Sequence, residues 1–195
     1  MTASVPEPSK IFHDAIEAGV ATTRSLSALE EPLQRAASII EECLVTGHKL
    51  LVCGNGGSAA DAADFSTEFA CRFTHDRRPY PALNIAQGGS LMSAIGNDYG
   101  FEEIFARQVT AFGERGDVLV AITTSGNSRN IIRAVEEAQG RGLTSIALLG
   151  REGGSAKGVA DIELIVSSDT TARIQEAHKF LLHVLCETVE AQLPR

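Results

Sequence analysis

The sequence predicts an α/β fold in three layers, with a five-stranded parallel sheet between helices. Three observations predict it. Five short apolar runs, at 49–53, 82–85, 118–122, 145–149 and 162–166, alternate with helical patterns. Two of those runs end in loops rich in glycine or hydroxyl residues that lead straight into a helix. The 195 residues are 44% hydrophobic and 22% charged, enough apolar content for one domain with a buried core.

Taken in order, two helical patterns open the chain at about 8–28 and 30–46. Ile11, Ala15, Ile16 and Ala18 mark one face of the first; Leu33, Ala36, Ala37, Ile40, Cys43 and Leu44 mark the second. Both look too apolar to be free surfaces. Further helices are expected at 58–73, 101–112, 128–141 and 154–159. Gly96-Asn97-Asp98-Tyr99-Gly100 reads as a turn between helical segments. The last helix, 172–192, carries an apolar stripe of Ile174, Ala177, Leu181, Leu182, Leu185 and Val189. The whole of 1–195 reads as one domain.

Composition excludes several classes of function. A net charge of −8 argues against a nucleic-acid surface, which needs a basic face. No apolar stretch reaches about 18 residues, so no membrane span is expected. Met1 to Pro6 shows neither a basic segment nor an apolar one of leader type, which points to the cytoplasm. The four cysteines lack metal or disulfide spacing, and three of them sit in apolar patterns as buried thiols.

Two loops carry the chemistry. Thr123-Thr124-Ser125-Gly126-Asn127-Ser128 lies between an apolar run and a helical pattern from Arg129 to Gly140. Free N–H groups at a helix start, the helix dipole and several hydroxyls form a phosphate cradle without lysine. Gly54-Asn55-Gly56-Gly57-Ser58 follows another apolar run in the same manner. In open α/β sheets ligands bind beyond the strand C-termini, where both loops fall. No dinucleotide fingerprint is present, because the glycine loop lacks a third glycine at the required spacing; no nucleotide cofactor is expected. The helix after the glycine loop presents Asp61, Asp64 and Glu68 on one face, with Arg72 a turn further on. On the last helix Gln175, Lys179 and His183 step by four. His183, between Leu182 and Val184, reads as a hydrogen-bonded core residue, and His178 as a surface or interface residue. These residues describe a phosphosugar site with an acid and a histidine at hand; they do not name the sugar.

The chain resembles the sugar isomerase (SIS) domain family and, within it, the phosphoheptose isomerases. The likeness rests on the stretches from Cys53 to Ala62, Gly96 to Phe101, Thr123 to Ser128 and Arg173 to His178, with a histidine eight residues after Gln175. It runs from about residue 10 to 192. The resemblance implies a flavodoxin-like sheet and a homotetramer that packs through residues 1–46, with sites at subunit interfaces. It implies phosphate binding by Thr123, Thr124, Ser125 and Ser128. Asn55, Gly56, Gly57, Ser58, Asn97, Asp98 and Gln175 would contact the sugar, and Glu68 and His183 would be the acid–base pair. The implied reaction turns sedoheptulose 7-phosphate into D-glycero-D-manno-heptose 7-phosphate through an enediol, for bacterial lipopolysaccharide heptose.

Some members of the family hold zinc, and the matching positions are Asp64, Glu68, Gln175 and His183. The family pattern has histidine where this chain has Asp64. Aspartate makes such a site harder and more anionic, bringing Mg²⁺ or Mn²⁺ into competition with Zn²⁺. The other reading is a metal-free site in which Asp64 tunes Glu68 by like-charge proximity. Three rival functions stand beside the enzyme: a non-enzymatic SIS tetramer that binds the replication initiator, an isomerase of another sugar phosphate, and a regulatory phosphosugar-binding domain of the kind normally fused to another module. Glu68 and His183 favour an enzyme over the first; the Asp64 departure keeps the second open.

Overall fold

The computed structural model describes residues 7–194. The Met1 to Pro6 segment, read above for a leader, lies outside them. The elements are α1 (Pro8–Ser25), α2 (Glu30–Val45), β1 (Leu50–Gly54), α3 (Gly57–Ala70), β2 (Ala82–Asn84), α4 (Gly89–Tyr99), α5 (Ala106–Phe112), β3 (Val118–Thr123), α6 (Arg129–Gly140), β4 (Thr144–Gly150), β5 (Ile162–Val166) and α7 (Thr171–Glu190). Short 3₁₀ turns occupy Leu26–Leu29, Phe101–Glu103 and Gly154–Ala156.

All five strands are parallel, in the order β2-β1-β3-β4-β5. That order reverses direction between β1 and β3, the place where flavodoxin-like sheets open a crevice for ligands. Alternate strand residues point to opposite faces, and both faces are covered. Leu50, Val52, Val118, Val120, Ile146 and Leu148 pack with α2, α3 and α7. Leu51, Cys53, Leu119 and Ala121 pack with Ile95 of α4, Val109 of α5, and Ile131, Ala134 and Val135 of α6. Strands buried on both faces read as the unbroken apolar runs seen in the sequence.

Three expectations need correction. Asn97 and Asp98 are in the last turn of the α4 helix, not in a loop. Gly100, at φ +94°, is where that helix stops, because few residues with a side chain adopt that backbone. The helix expected at 154–159 shrinks to one 3₁₀ turn between glycines. The first two helices also differ from each other. α2 buries Ala36, Ala37, Ile40, Cys43 and Leu44 in this chain's own core. α1 buries nothing, and leaves Ile11, Phe12, Ile16 and Val20 at 40–63% exposure.

Candidate active site

The two loops meet across the β1/β3 crevice. Residues of β1 and β3 pair in register, Gly54 opposite Ile122, so the segments that follow them emerge side by side. Asn55 and Asn130 join the loops by a reciprocal amide pair, each Nδ2 donating to the other's Oδ1 at 2.9 Å. Asn130 sits in the first turn of α6 and is buried.

The hydroxyl loop is arranged as a cradle. Thr123 Oγ1 lies 3.1 Å from Ser128 Oγ and 3.4 Å from Ser125 Oγ. The Asn127 N–H donates to Ser125 Oγ at 3.1 Å. Ser128 caps α6 in an extended conformation yet makes no side-chain capping bond. Ile131 and Ile132 donate their N–H groups to the Ser128 carbonyl, so the N–H groups of Arg129 and Asn130 are the ones left for an outside acceptor among the described residues, and the helix dipole favours an anion. Thr124 and Ser125 are half-buried; the Thr124 carbonyl passes so close to Gly150 that a side chain there would collide with it. Gly126 has φ +65° and likewise abuts the Gly153 carbonyl, which presses the turn against the end of β4.

The opposite wall is made by α3 and α7, which run side by side in the same direction. Asp61 and Asp64 face Lys179; further along, Phe73 faces His183, and the segment after α3 is tied to Glu190. Gln175 rests its amide against Gly57, where a Cβ would collide with it. Gly57 thereby admits the end of α7 to the glycine loop. The Lys179 ammonium bridges Asp61 Oδ1 at 2.9 Å and Asp64 Oδ2 at 2.5 Å. Partial burial would lower its pKa, but the bonds to Asp64 and Asp61 outweigh that and hold it above the usual lysine value. Asp61 is buried, and its second oxygen has no hydrogen-bond partner among the described residues. Asp61, Ala172, Gln175, Glu176 and Lys179 line an open cavity of about 460 Å³.

Glu68 is half-buried on the same stripe as Asp61 and Asp64. Its carbonyl accepts from Arg77 Nη2 at 2.6 Å, and that of Phe69 accepts from Arg77 Nη1 at 3.1 Å. One guanidinium thus closes the C-terminal end of α3. Arg77 is itself held by Glu190 of α7, Nε to Oε1 at 3.1 Å, with both side chains almost wholly buried. The Glu190 carboxylate also accepts from the N–H groups of Phe73, Thr74 and His75. Burial pushes its pKa up, but the Thr74, His75 and Phe73 donors and Arg77 outweigh that and leave it below the ordinary glutamate range. Burial, and next to it the Glu68 carboxylate, push the Cys186 thiol well up, so this cysteine is inert. Cys43 and Cys53 are buried too, and all four thiols are free.

The two histidines of α7 exchange the positions expected of them. His178 is fully buried, and its Nε2 donates to the Leu149 carbonyl at 3.1 Å. Burial lowers its pKa, so the ring is neutral. His183 is exposed, with its ring 5.8 Å from that of Phe73. The reason is the helical period: 174, 177, 178, 181, 182 and 185 form one stripe, and 183 falls off it.

Asn97 and Asp98 stand apart. Both are exposed and hydrogen-bonded to each other at 2.8 Å, and Asp98 lines a separate hollow with Tyr99 and Arg107. Among the described residues no hydrogen bond ties them to either loop. Nor does any group of three or more His, Cys, Asp and Glu side chains converge as a metal site among those residues. Asp64, Glu68 and His183 therefore form no such group within one chain. Three contributors escaped the sequence. Asn130 gave no local signal, and Arg77, which the Arg77-Arg78 pair reads as part of a solvated loop, is buried against Glu190. Lys179 was visible only as a helical neighbour of Gln175.

The family model for the SIS domain matches residues 15–150. Phosphoheptose isomerase from Shewanella loihica is 46% identical over 169 residues, covering 85% of this chain and 86% of that protein. The enzyme of the same name from Helicobacter pylori is 45% identical over 170 residues, 87% and 88% of the two chains. This chain belongs to the SIS-domain family. Its fold matches a phosphoheptose isomerase from Francisella tularensis with a TM-score of 0.92 at 38% identity, over 95% of this chain and 100% of that one. The Neisseria gonorrhoeae phosphoheptose isomerase matches at a TM-score of 0.88, with the same identity and coverage. Within the SIS family the chain groups with phosphoheptose isomerases, and its chemistry is aldose–ketose isomerisation.

Proposed function

We propose that the protein converts sedoheptulose 7-phosphate into D-glycero-D-manno-heptose 7-phosphate, supplying heptose for a bacterial surface glycan such as lipopolysaccharide. One observation carries the reading: a hydroxyl cradle with free helix donors is clamped by Asn55 and Asn130 to the loop that opens the acidic helix. Phosphate at one end and a carboxylate stripe at the other suit a linear sugar phosphate. Thr123, Thr124, Ser125 and Ser128 grip the phosphate, while Asn55, Gly56, Gly57, Ser58 and Gln175 border the sugar. Remote phosphate binding holds the reacting carbons in place, and this lowers the barrier.

Isomerisation moves a proton between adjacent carbons while the neighbouring oxygens exchange theirs. In this reading Glu68 takes the C–H proton and returns it to the next carbon. His183 protonates the carbonyl oxygen and later accepts the hydroxyl proton, so the intermediate is an enediol. The exposure of His183 in a single chain fits a site completed by a neighbouring subunit. The α1 face with Ile11, Phe12, Ile16 and Val20 would support such a homotetramer, since apolar patches of this kind mark contact surfaces. We place the enzyme in the cytoplasm, where sugar phosphates are retained. Among the described residues no helix is long and apolar enough to cross a membrane.

The zinc set fits poorly. Asp64 keeps lone pairs to offer, but its Oδ2 already holds the Lys179 ammonium, and a divalent ion bound there would sit beside a like charge. No step of the mechanism passes through a metal. Turnover of sedoheptulose 7-phosphate in a coupled assay, beside a panel of other ketose phosphates, tests the proposal. Preference for a different sugar phosphate would move the substrate and leave the reaction class standing.

A further inference from the structure

The cavity between α3 and α7 already contains a fixed cation. The Lys179 ammonium lies between Asp61 Oδ1 and Asp64 Oδ2 at 2.9 and 2.5 Å. An ammonium has three donors, and these two carboxylates take two of them. The third is left for an oxygen in the cavity that Lys179 lines together with Asp61, Gln175 and Glu176. The second Asp61 oxygen is buried and has no partner among the described residues, so Lys179 is the cation that balances this carboxylate. The His178 Nδ1 is likewise buried and unpartnered among those residues; with Nε2–H given to Leu149 it is an acceptor nitrogen and supplies no donor to Asp61.

We infer that Lys179 is the resident positive charge of this site, standing where relatives with a histidine in place of Asp64 would hold a divalent metal. The inference rests on the isomerase reading above. Two features of the chain go together. Aspartate at position 64 removes an imidazole ligand and adds a negative charge. Lysine at 179 comes from one turn beyond Gln175 on the facing helix and neutralises that charge. A divalent ion placed beside the ammonium would meet a like charge and would have to displace it from both aspartates. The third ammonium donor is instead directed to the oxygen that gains negative charge as the enediol forms. A fixed donor there needs no reorganisation during the reaction.

Zn²⁺ titration by calorimetry and elemental analysis of untagged protein, combined with kinetics of Lys179→Met and Lys179→Arg, test this. The wild type should retain no stoichiometric metal, show no 1:1 Zn²⁺ heat per subunit and keep its rate in chelator. Lys179→Met should lose roughly 100-fold or more in kcat with KM changed far less, as for loss of one oxyanion donor. Lys179→Arg should recover part of that loss. With the ammonium gone, Lys179→Met should acquire a Zn²⁺ heat that the wild type lacks. One Zn²⁺ per wild-type subunit with chelator-sensitive turnover would overturn the inference, as would a folded Lys179→Met with wild-type kcat. Should Lys179→Met fail to fold, the wild-type titration and chelator arms decide by themselves. A folded wild type inactive on every sugar phosphate would refute the isomerase reading, whereas the Zn²⁺ titration tests the charge assignment regardless of substrate.

Discussion

Asn55 and Asn130 hold each other by two hydrogen bonds of 2.9 Å, the side-chain link between the loops that follow β1 and β3. Neither strand could enforce that spacing beyond its last pairing at Gly54 and Ile122. Asn130→Ala leaves the half-buried Asn55 amide without its partner, at a cost of about 1–3 kcal/mol for the two hydrogen bonds. We expect a lower thermal midpoint and weaker binding of sugar phosphate by calorimetry. Unchanged phosphosugar affinity would show that the cradle holds its shape without the clamp.

Glu68→Gln should abolish turnover and leave binding largely intact. Loss of a general base costs roughly 10²–10⁴ in rate. Isothermal titration with the substrate, run beside the coupled assay, separates the two effects. Near-normal turnover by a folded variant would remove Glu68 from the proton transfer.

Replacing Thr124 by valine together with Ser125 by alanine should weaken phosphosugar binding much more than stability. A hydrogen bond to a charged group contributes about 1.5–3 kcal/mol. Binding of the phosphorylated sugar by calorimetry, with the unfolding midpoint as control, reads the difference. Equal affinity would move the phosphate to the glycine loop.

Glu190 gives the fold an acid limb. Its carboxyl has a lower pKa folded than the unfolded value of 4.5, so its contribution is complete above that value and is lost as pH falls through the lower, folded pKa. Glu190→Gln should therefore flatten the loss of stability in that acidic window. At neutral pH it strands the buried Arg77, a change of about 3–5 kcal/mol. Denaturant midpoints across pH measure both. An acid limb as steep in the variant as in the wild type would assign it to other carboxylates. Because Arg77 also caps the carbonyls of Glu68 and Phe69, turnover should fall along with stability.

Charges placed on α1 should split the assembly. Phe12→Asp with Ile16→Asp alters a face that buries nothing in its own chain, so the subunit fold should survive. Light scattering should give a tetramer for the wild type and smaller species for the variant, with activity falling alongside. A wild type that is monomeric and active would show that one chain completes the site.

The sheet was legible because β1, β3 and β4, buried on both faces, are written as apolar runs, and the edge strand β5, whose burial alternates, still falls on the boundaries expected for it. The two loops were legible because glycine and hydroxyl residues follow those runs directly. Less legible was anything depending on which turn of one helix meets which turn of another. Lys179 and Asp64 are 115 positions apart, and nothing local to either announces the pair. His178 and His183 were exchanged for a different reason. The residues on either side of His183 are apolar, and neighbours along a helix do not share its face; the stripe through Ile174, Ala177 and Leu181 includes His178 instead. Asn97 and Asp98 looked like a turn by composition, and the α4 packing through Ile95 overrode that preference.

The SIS match ends at residue 150, before α7 begins at Thr171. The two loops joined by Asn55 and Asn130 lie inside the matched stretch, and so does Glu68. Gln175, Lys179 and His183 lie outside it, on one helix that packs against the sheet through Ile174, Leu181 and Leu185 and donates a buried imidazole bond from His178 to the Leu149 carbonyl. The two loops and α3 are thus encoded in one tract of the gene, and the helix that faces α3 in another. Substitutions along three turns of one helix could retask the molecule without disturbing the loops that follow β1 and β3.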